Sequence, residues 1–427
     1  MALFITNMIR QHIMTKKKLT LLTSSIVFIE WLEFSLYMYL GALISTVFFP
    51  PELGSSALLL TYSIFAISYL GRPLGGLIFG LYADKHGRRA PLILSAVLIG
   101  IATIGIGCIP SYQHIGIFAP ILLLSLRLLQ SFAISGEFNN AAIYLMEHDP
   151  IYTTLAGSWI GTASSAGMFI GGMTAVLVST SHFSQSWRFA YIMIGIIALI
   201  VMLLRKRLLE SPAYQQYLID RTQAHSHSIP APEHTLIRLL KYHKVSLMKI
   251  TLMAAFLSVY IYTCNVYFVS FLVTHANYPL QQATLYMTLV QAAVTFSIPI
   301  FALLAEYIGY QRVLTPCIIL MSITAPSLFY SAHANYNHLL LLSFGCYVIA
   351  NSGISATLFR YLFECLPTEV RCTGTSLMWS LSAALFGGTS PILAAYFIDQ
   401  NWLVMPGLYV IFFALLLLLS KGINHAK

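Results

Sequence analysis

Gly80-Leu81-Tyr82-Ala83-Asp84-Lys85-His86-Gly87-Arg88-Arg89 is a charged turn set between two long apolar stretches. Gly80 permits close helix contact and Gly87 a tight turn. Asp84 is suited to cap a neighbouring helix N-terminus or to pair with an arginine, while Arg88 and Arg89 anchor a loop at a cytoplasmic membrane surface. The turn reads as the inner connection between two membrane helices, and the sequence on either side supports that reading.

A bilayer core requires about 20 apolar residues per helix. Twelve stretches qualify, roughly 19–48, 57–82, 91–110, 115–145, 154–180, 187–204, 246–273, 282–304, 313–331, 337–363, 373–397 and 403–420. Hydrophobic residues make up 58% of the 427 and charged residues 9%, whereas soluble domains are about a quarter charged. Little chain is left for a soluble catalytic domain. The first stretch holds Glu30 and Glu33 and has no small-residue cleavage site, so it reads as a retained helix rather than a signal peptide. Cys108, Cys264, Cys317, Cys346, Cys365 and Cys372 are scattered, with no CxxC, so neither a disulfide nor a metal site is expected.

The formal charge of +9 raises the question of nucleic acid. With the N-terminus inside, 19 of the 23 Lys and Arg fall on the cytoplasmic side, and Arg72, Arg127, Arg188 and Arg360 lie in or at the end of apolar segments. External loops then carry no basic residue, which is the positive-inside pattern. The expectation is a multi-pass protein of a bacterial inner membrane with both termini cytoplasmic and no nucleic-acid partner.

The widest polar gap divides the chain into 1–204, a linker over 205–245 and 246–427, six apolar segments on each side. The linker contains Pro212, Pro230 and Pro232. Within it, Leu236 to Lys249 has helical apolar spacing beside Arg238, Lys241 and Lys244, which suits a helix on an anionic membrane surface. His225, His227 and His234 read as solvated loop residues rather than metal ligands. The halves echo each other: Glu147-x-x-Pro150 with Gly157-Ser158 matches Glu364-x-x-Pro367 with Gly374-Thr375 at a constant offset of 217. Gly171-Gly172 and Gly387-Gly388 follow at nearly the same distance. Such a repeat places a solute site at the interface of the halves, near the midplane.

The turn at 80–89 resembles the G-x-x-x-D-[RK]-x-G-R-[RK] signature of the major facilitator superfamily. Further stretches resemble its metabolite:H+ symporter family, whose members carry proline and betaine, shikimate, 2-oxoglutarate or citrate. They are Glu30-Trp31-Leu32-Glu33-Phe34, Arg72-Pro73-Leu74-Gly75-Gly76, Arg127-Leu128-Leu129-Gln130 with Gly136-Glu137, Glu210-Ser211-Pro212, Pro367 to Gly374, and Phe386-Gly387-Gly388. The second-half counterpart of the turn, Ala302 to Arg312, keeps only Glu306, Gly309 and Arg312, and Thr154-Leu155-Ala156 stands where the family has a basic residue.

The resemblance implies an all-α membrane protein: twelve transmembrane helices in the major facilitator fold, as two pseudo-symmetric six-helix bundles, with helices one, four, seven and ten lining a central cavity. It implies a cytoplasmic gate built from Gly80, Asp84, Gly87, Arg88, Arg89, Glu147, Glu364 and Arg371. No cofactor is expected, the proton gradient being the driving force. The partners are a small-molecule solute, a proton and the lipid bilayer, and the chain is expected to be a monomer.

An ionisable side chain at membrane depth costs roughly 2.5–3.5 kcal/mol on insertion scales and is a functional candidate by default. Glu30, Glu33, Arg127 and Glu137 form the proton-coupling set, with Glu33 or Glu30 expected to pair with Arg127. Burial favours the neutral acid and a neighbouring arginine the carboxylate. A static ion pair locking two helices and a direct substrate contact are the alternatives. For the solute, polar groups of the second half are the candidates: Tyr260, Thr263, Asn265 and Tyr267, then Gln291, then Asn351 and Arg360. The Arg360 guanidinium suits a two-pronged carboxylate contact, or it snorkels to the interface or pairs with Glu364.

The expected function is proton-coupled symport of a small organic acid or zwitterion by alternating access. A Gly-Pro-x-x-Gly-Gly element, common in the fifth helix of related antiport exporters, is missing, which favours uptake. The alternatives are an antiport exporter of a metabolite or siderophore and a transport-inactive sensor or receptor. A membrane-embedded enzyme lacks support, since no HExxH, GxSxG or paired-Asp motif occurs in the apolar segments.

Overall fold

A backbone in hydrocarbon has no water to bond, so it must satisfy its own polar groups within a helix or a closed barrel, and this chain takes the helical solution. The computed structural model describes residues 16–54, 56–180, 185–225 and 235–422. The first six apolar helices are α1 (Lys16–Tyr39), α2 (Ser56–His86), α3 (Arg89–Cys108), α4 (Phe118–His148), α5 (Thr153–Thr180) and α6 (Ser186–Arg205). The second six are α7 (Lys244–Thr274), α8 (Leu280–Ile308), α9 (Tyr310–His333), α10 (Asn337–Cys365), α11 (Arg371–Asp399) and α12 (Met405–Gly422).

Two expected boundaries move. The stretch 19–48 is not one helix: α1 stops at Tyr39, Leu40 turns the chain at φ −90 and ψ 10, and Gly41–Phe48 forms a short separate helix. The stretch 236–249 likewise divides at His243, whose φ of −122 and ψ of 26 separate a surface helix, Thr235–Tyr242, from α7. Leu239 of that short helix is buried toward Gly374, and Arg238 pairs with Glu369. The histidine cluster of the linker falls, apart from the backbone of His225, outside the described residues.

Between membrane helices small residues drive close contact, because burying apolar surface from lipid gains nothing. The glycines spaced by four act here. A Cβ on Gly167 would lie 2.4 Å from the Phe28 carbonyl oxygen and one on Gly171 2.4 Å from that of Leu32, so α5 lies directly on α1. Gly161 brings α5 against Ser355 of α10, across the two halves. Gly76 and Gly80 do the same for α2 and α11, where added Cβ atoms would lie 2.6 Å from the Ser376 carbonyl oxygen and 2.6 Å from Thr373 Cα.

Both α7 and α11 contain a wide π turn, Tyr262–Tyr267 and Ala383–Gly387, a feature common at functional sites. The two turns touch, with a Cβ on Gly387 falling 2.9 Å from the Tyr262 ring. One end of the bundle carries the short turn at Gly87–Arg88, the connection 149–152, the linker and the connection 366–370, and it is called here the basic end.

Gly80→Ala is expected to lower the unfolding temperature, since the neighbour it meets is backbone and overpacking costs about 1–3 kcal/mol. Gly345→Ala, whose Cβ would meet nothing within 4 Å, is expected to hold or raise it. Thermal unfolding of the two purified variants against the parent checks both.

Candidate functional site

A cavity of ≈ 890 Å³ lies between the halves, and its walls come from both. Glu30 of α1 and Arg72 of α2 provide its charged groups, with no other Asp, Glu, Lys or Arg in the wall among the described residues. Asn265, Gln291 and Asn351, all expected at the solute site, line it. So do the rings of Tyr262 and of Trp31, Phe138, Phe359 and Trp379, the centroids of Trp31, Phe359 and Trp379 lying 6.2, 5.2 and 5.4 Å from that of Phe138.

A second, smaller void of ≈ 370 Å³ shares Glu30, Trp31, Arg72 and Ile134 with the first and reaches Glu33 and Arg127. Here the two acids of α1 part company. Glu33 forms a closed pair with Arg127 at 2.9 Å, and Arg127 is further held by Gln130 Oε1 at 3.0 Å and the face of Tyr37 at 3.6 Å. Among the described residues Glu30 makes no such pair, and its buried Oε2 has no hydrogen-bond partner. Tyr69 of α2 and Tyr262 of α7 share a short hydrogen bond across the halves, and the Arg72 guanidinium lies 4.1 Å from the Tyr69 ring.

Several expected site residues lie elsewhere. Glu137 faces Arg205 at 2.7 Å and accepts from Ser95 Oγ at 2.6 Å, all three fully buried within the first half, so it is spent on holding α3, α4 and α6 together. Arg205 is correspondingly a buried residue and not a surface anchor. Tyr260 donates to Asn351 Oδ1 at 2.9 Å from within the second-half core, Thr263 is fully buried outside the cavity wall, and Tyr267 stacks on Phe329. Arg360 pairs with Glu364 at 2.6 Å on a partly exposed face, outside the cavity wall. Arg72 stands outside the candidate set drawn from the sequence, although a guanidinium in an apolar segment carries the same insertion cost there as at Arg127.

At the basic end the gate candidates from α2, α4 and α11 converge. Asp84 accepts from Thr373 N at 2.8 Å, Thr373 Oγ1 at 2.7 Å and Cys372 N at 3.2 Å, capping the start of α11, and pairs with Arg88 at 3.0 Å. Glu147 of α4 bridges Arg88 at 3.4 Å and Arg371 at 3.1 Å. Arg88 also donates to the Thr368 carbonyl at 2.7 Å, and these partners explain why it is buried rather than anchored at the surface. Gly87 turns the chain at φ +97, and Glu210 accepts from Arg88 N at 2.7 Å and Arg89 N at 3.3 Å at the start of α3. Arg89 itself reaches the Lys206 carbonyl. Glu364 stands apart from this cluster, taking Tyr310 and Arg360. The reduced counterpart turn also caps a helix: Glu306 accepts from Leu155 N at 2.9 Å, at the start of α5.

Comparison with known proteins places this geometry. Among curated proteins, the chain is 30% identical to the proline/betaine transporter of Escherichia coli (strain K12) over 404 residues, 92% of this chain and 80% of that protein. It is 28% identical over 402 residues, 92% and 79%, to the glycine betaine/proline/ectoine/pipecolic acid transporter of Dickeya dadantii (strain 3937). In fold it is similar to the proton:xylose symporter XylE bound to 6-bromo-6-deoxy-D-glucose, with a TM-score of 0.71, 18% identity and 94% and 93% of the two chains covered. The human organic anion transporter MFSD10 gives 0.67, with 15% identity and 95% and 99% covered. The family model described as Major Facilitator Superfamily matches residues 25–391. With the twelve helices, the repeat and the motifs of both halves in agreement, the chain belongs to the Major Facilitator Superfamily and, within it, to the metabolite:H+ symporter family.

Proposed function

We propose that the protein is a proton-coupled symporter that takes up a small zwitterionic metabolite, with the proton gradient as its driving force. The observation that carries this is the cavity between the halves, whose wall carries one acid, Glu30, and one base, Arg72. The relatives named for proline and betaine transport support the solute class. The basic end, with Lys85, Arg88, Arg89, Lys206, Arg207, Arg238, Lys241 and Arg312 in or beside its connections, faces the cytoplasm by the positive-inside rule. Both termini then lie inside, in a bacterial inner membrane, and the transporting unit is the monomer.

Glu30 carries the coupling proton. It reaches the solute cavity and has an unbonded oxygen, whereas Glu33 is committed to Arg127 and Glu137 to Arg205. The buried Asp84–Arg88–Glu147–Arg371 cluster ties α2 and α4 of one half to α11 of the other. It holds the inner face closed and must break when the halves rock to release solute inward.

In proteoliposomes with an inward proton gradient, labelled proline or glycine betaine is expected to accumulate, and collapse of the gradient is expected to abolish accumulation. If neither solute accumulates, the reading fails; accumulation only when the inner face is turned outward would mark an exporter. Glu30→Gln is expected to lose gradient-driven accumulation and keep solute exchange at equal concentrations, while Glu33→Gln keeps gradient-driven accumulation and unfolds at a lower temperature.

A second test addresses the latch. Cys372 is fully buried beneath Asp84. In a variant retaining only this cysteine, Asp84→Asn is expected to raise its maleimide labelling rate about tenfold, since about 1.4 kcal/mol of lost latch energy shifts an equilibrium by that factor. An unchanged rate would show that the latch does not set the closed population.

A further inference from the structure

Among the described residues, the buried arginines of this protein have acids. Arg88 has Asp84 and Glu147, Arg127 has Glu33, Arg205 has Glu137 and Arg371 has Glu147. Arg72 has no ion-pair partner among the described residues. It faces the cavity from α2, its Nε has no hydrogen-bond partner, and the group beneath it is the Tyr69 ring. A guanidinium in that position is suited to a two-pronged contact with a carboxylate. The aromatic wall supplies the other half of the recognition: Trp31, Phe138, Phe359 and Trp379 line the same cavity, and aromatic rings attract an alkylated ammonium without needing hydrogen bonds from it.

We propose that Arg72 binds the carboxylate of an N-alkylated zwitterion whose ammonium group rests against the Trp31/Phe138/Phe359/Trp379 wall, and that Glu30 competes with that carboxylate for Arg72. This rests on the symport reading and goes beyond it by assigning which group binds which end of the solute, and why proton and solute travel together. Ionised Glu30 and the solute carboxylate seek the same guanidinium. A proton on Glu30 withdraws the competitor, so proton and solute each raise the affinity for the other, as linkage requires.

The charged groups acting on Glu30 are Arg72 from α2, Glu137 from α4 and Glu33 one turn along α1, with the Tyr69 and Tyr262 hydroxyls beside it from α2 and α7. The cavity-facing residues of α5, Ser164, Ser165 and Met168, carry no charge. A primary ammonium would be the poorer fit to aromatic faces, and a dicarboxylate would set its second charge against their negative ring faces.

The test uses the full chain in nanodiscs, reading ligand binding by quenching of intrinsic tryptophan fluorescence at acid and at alkaline pH. The probes are glycine betaine, choline, which keeps the ammonium and lacks the carboxylate, and succinate. The parent is expected to bind betaine more tightly at acid pH and to prefer it to succinate. Arg72→Gln is expected to weaken betaine by about a hundredfold, the scale of a lost buried charge-assisted contact, and to leave choline unchanged, which also shows that the variant is folded. Should Arg72→Gln fail to bind choline, Arg72→Lys decides, with a betaine affinity between parent and none expected. Glu30→Gln is expected to bind betaine tightly at both pH values.

The proposal is overturned if Arg72→Gln or Arg72→Lys binds betaine as the parent does, if choline does not bind the parent, if succinate outcompetes betaine, or if Glu30→Gln keeps the pH dependence. In the first case the parent still binds a zwitterion and the symport reading stands; a parent that binds none at either pH removes both.

Discussion

A charge carried into hydrocarbon must find a counter-charge or be discharged, and the distribution of such partners organises this molecule. Glu137 and Arg205 neutralise each other inside the first half and bind three helices together. Glu33 and Arg127 do so between α1 and α4. Asp84, Arg88, Glu147 and Arg371 do so between the halves. After these are accounted for, Glu30 and Arg72 remain without an ion-pair partner among the described residues, in the wall of the cavity on which the proposed site rests.

The internal repeat gives the second organising constraint. Asp84 takes the amide of Cys372 and Glu306 that of Leu155, two positions separated by 372 − 155 = 217, the offset read from the motifs. Each half thus uses an acid in the last turn of its second helix to cap the fifth helix of the other. The two contacts are unequal. On the first, four charged side chains converge and are buried, whereas the Glu306 contact stands without Glu364, which turns away to Tyr310 and Arg360.

Helix number, the repeat and the superfamily were legible because bilayer thickness, the placement of Lys and Arg, and a ten-residue signature are all written along the chain. The Glu33–Arg127 contact was half legible: the residue types were evident, but which of two acids a turn apart takes the arginine depends on helix rotation, which composition does not encode. Arg360 takes Glu364, one of the readings its i,i+4 spacing offered, whereas Tyr260, Thr263 and Tyr267 lie outside the cavity wall, Tyr260 bonded to Asn351 of α10 and Tyr267 stacked on Phe329 of α9, a packing that residue type alone does not encode. Arg72 was missed for the opposite reason. It has no local acid among the described residues, only the Tyr69 ring, and only the assembled halves show that its surroundings are a cavity.

The linker is not a free tether. Glu210 caps the start of α3, Ser211 bonds Glu147, and the Tyr214 hydroxyl donates to the Lys85 carbonyl at 2.6 Å, so its opening stretch belongs mechanically to the first half. Arg238 and Leu239 belong by the same measure to the second, through Glu369 and Gly374. The seam of the molecule therefore falls between these two anchored pieces. A chain severed there would leave each fragment with all of its own contacts, and two separately translated fragments would rejoin through the glycine-lined faces and the shared carboxylates rather than through the peptide bond they lack.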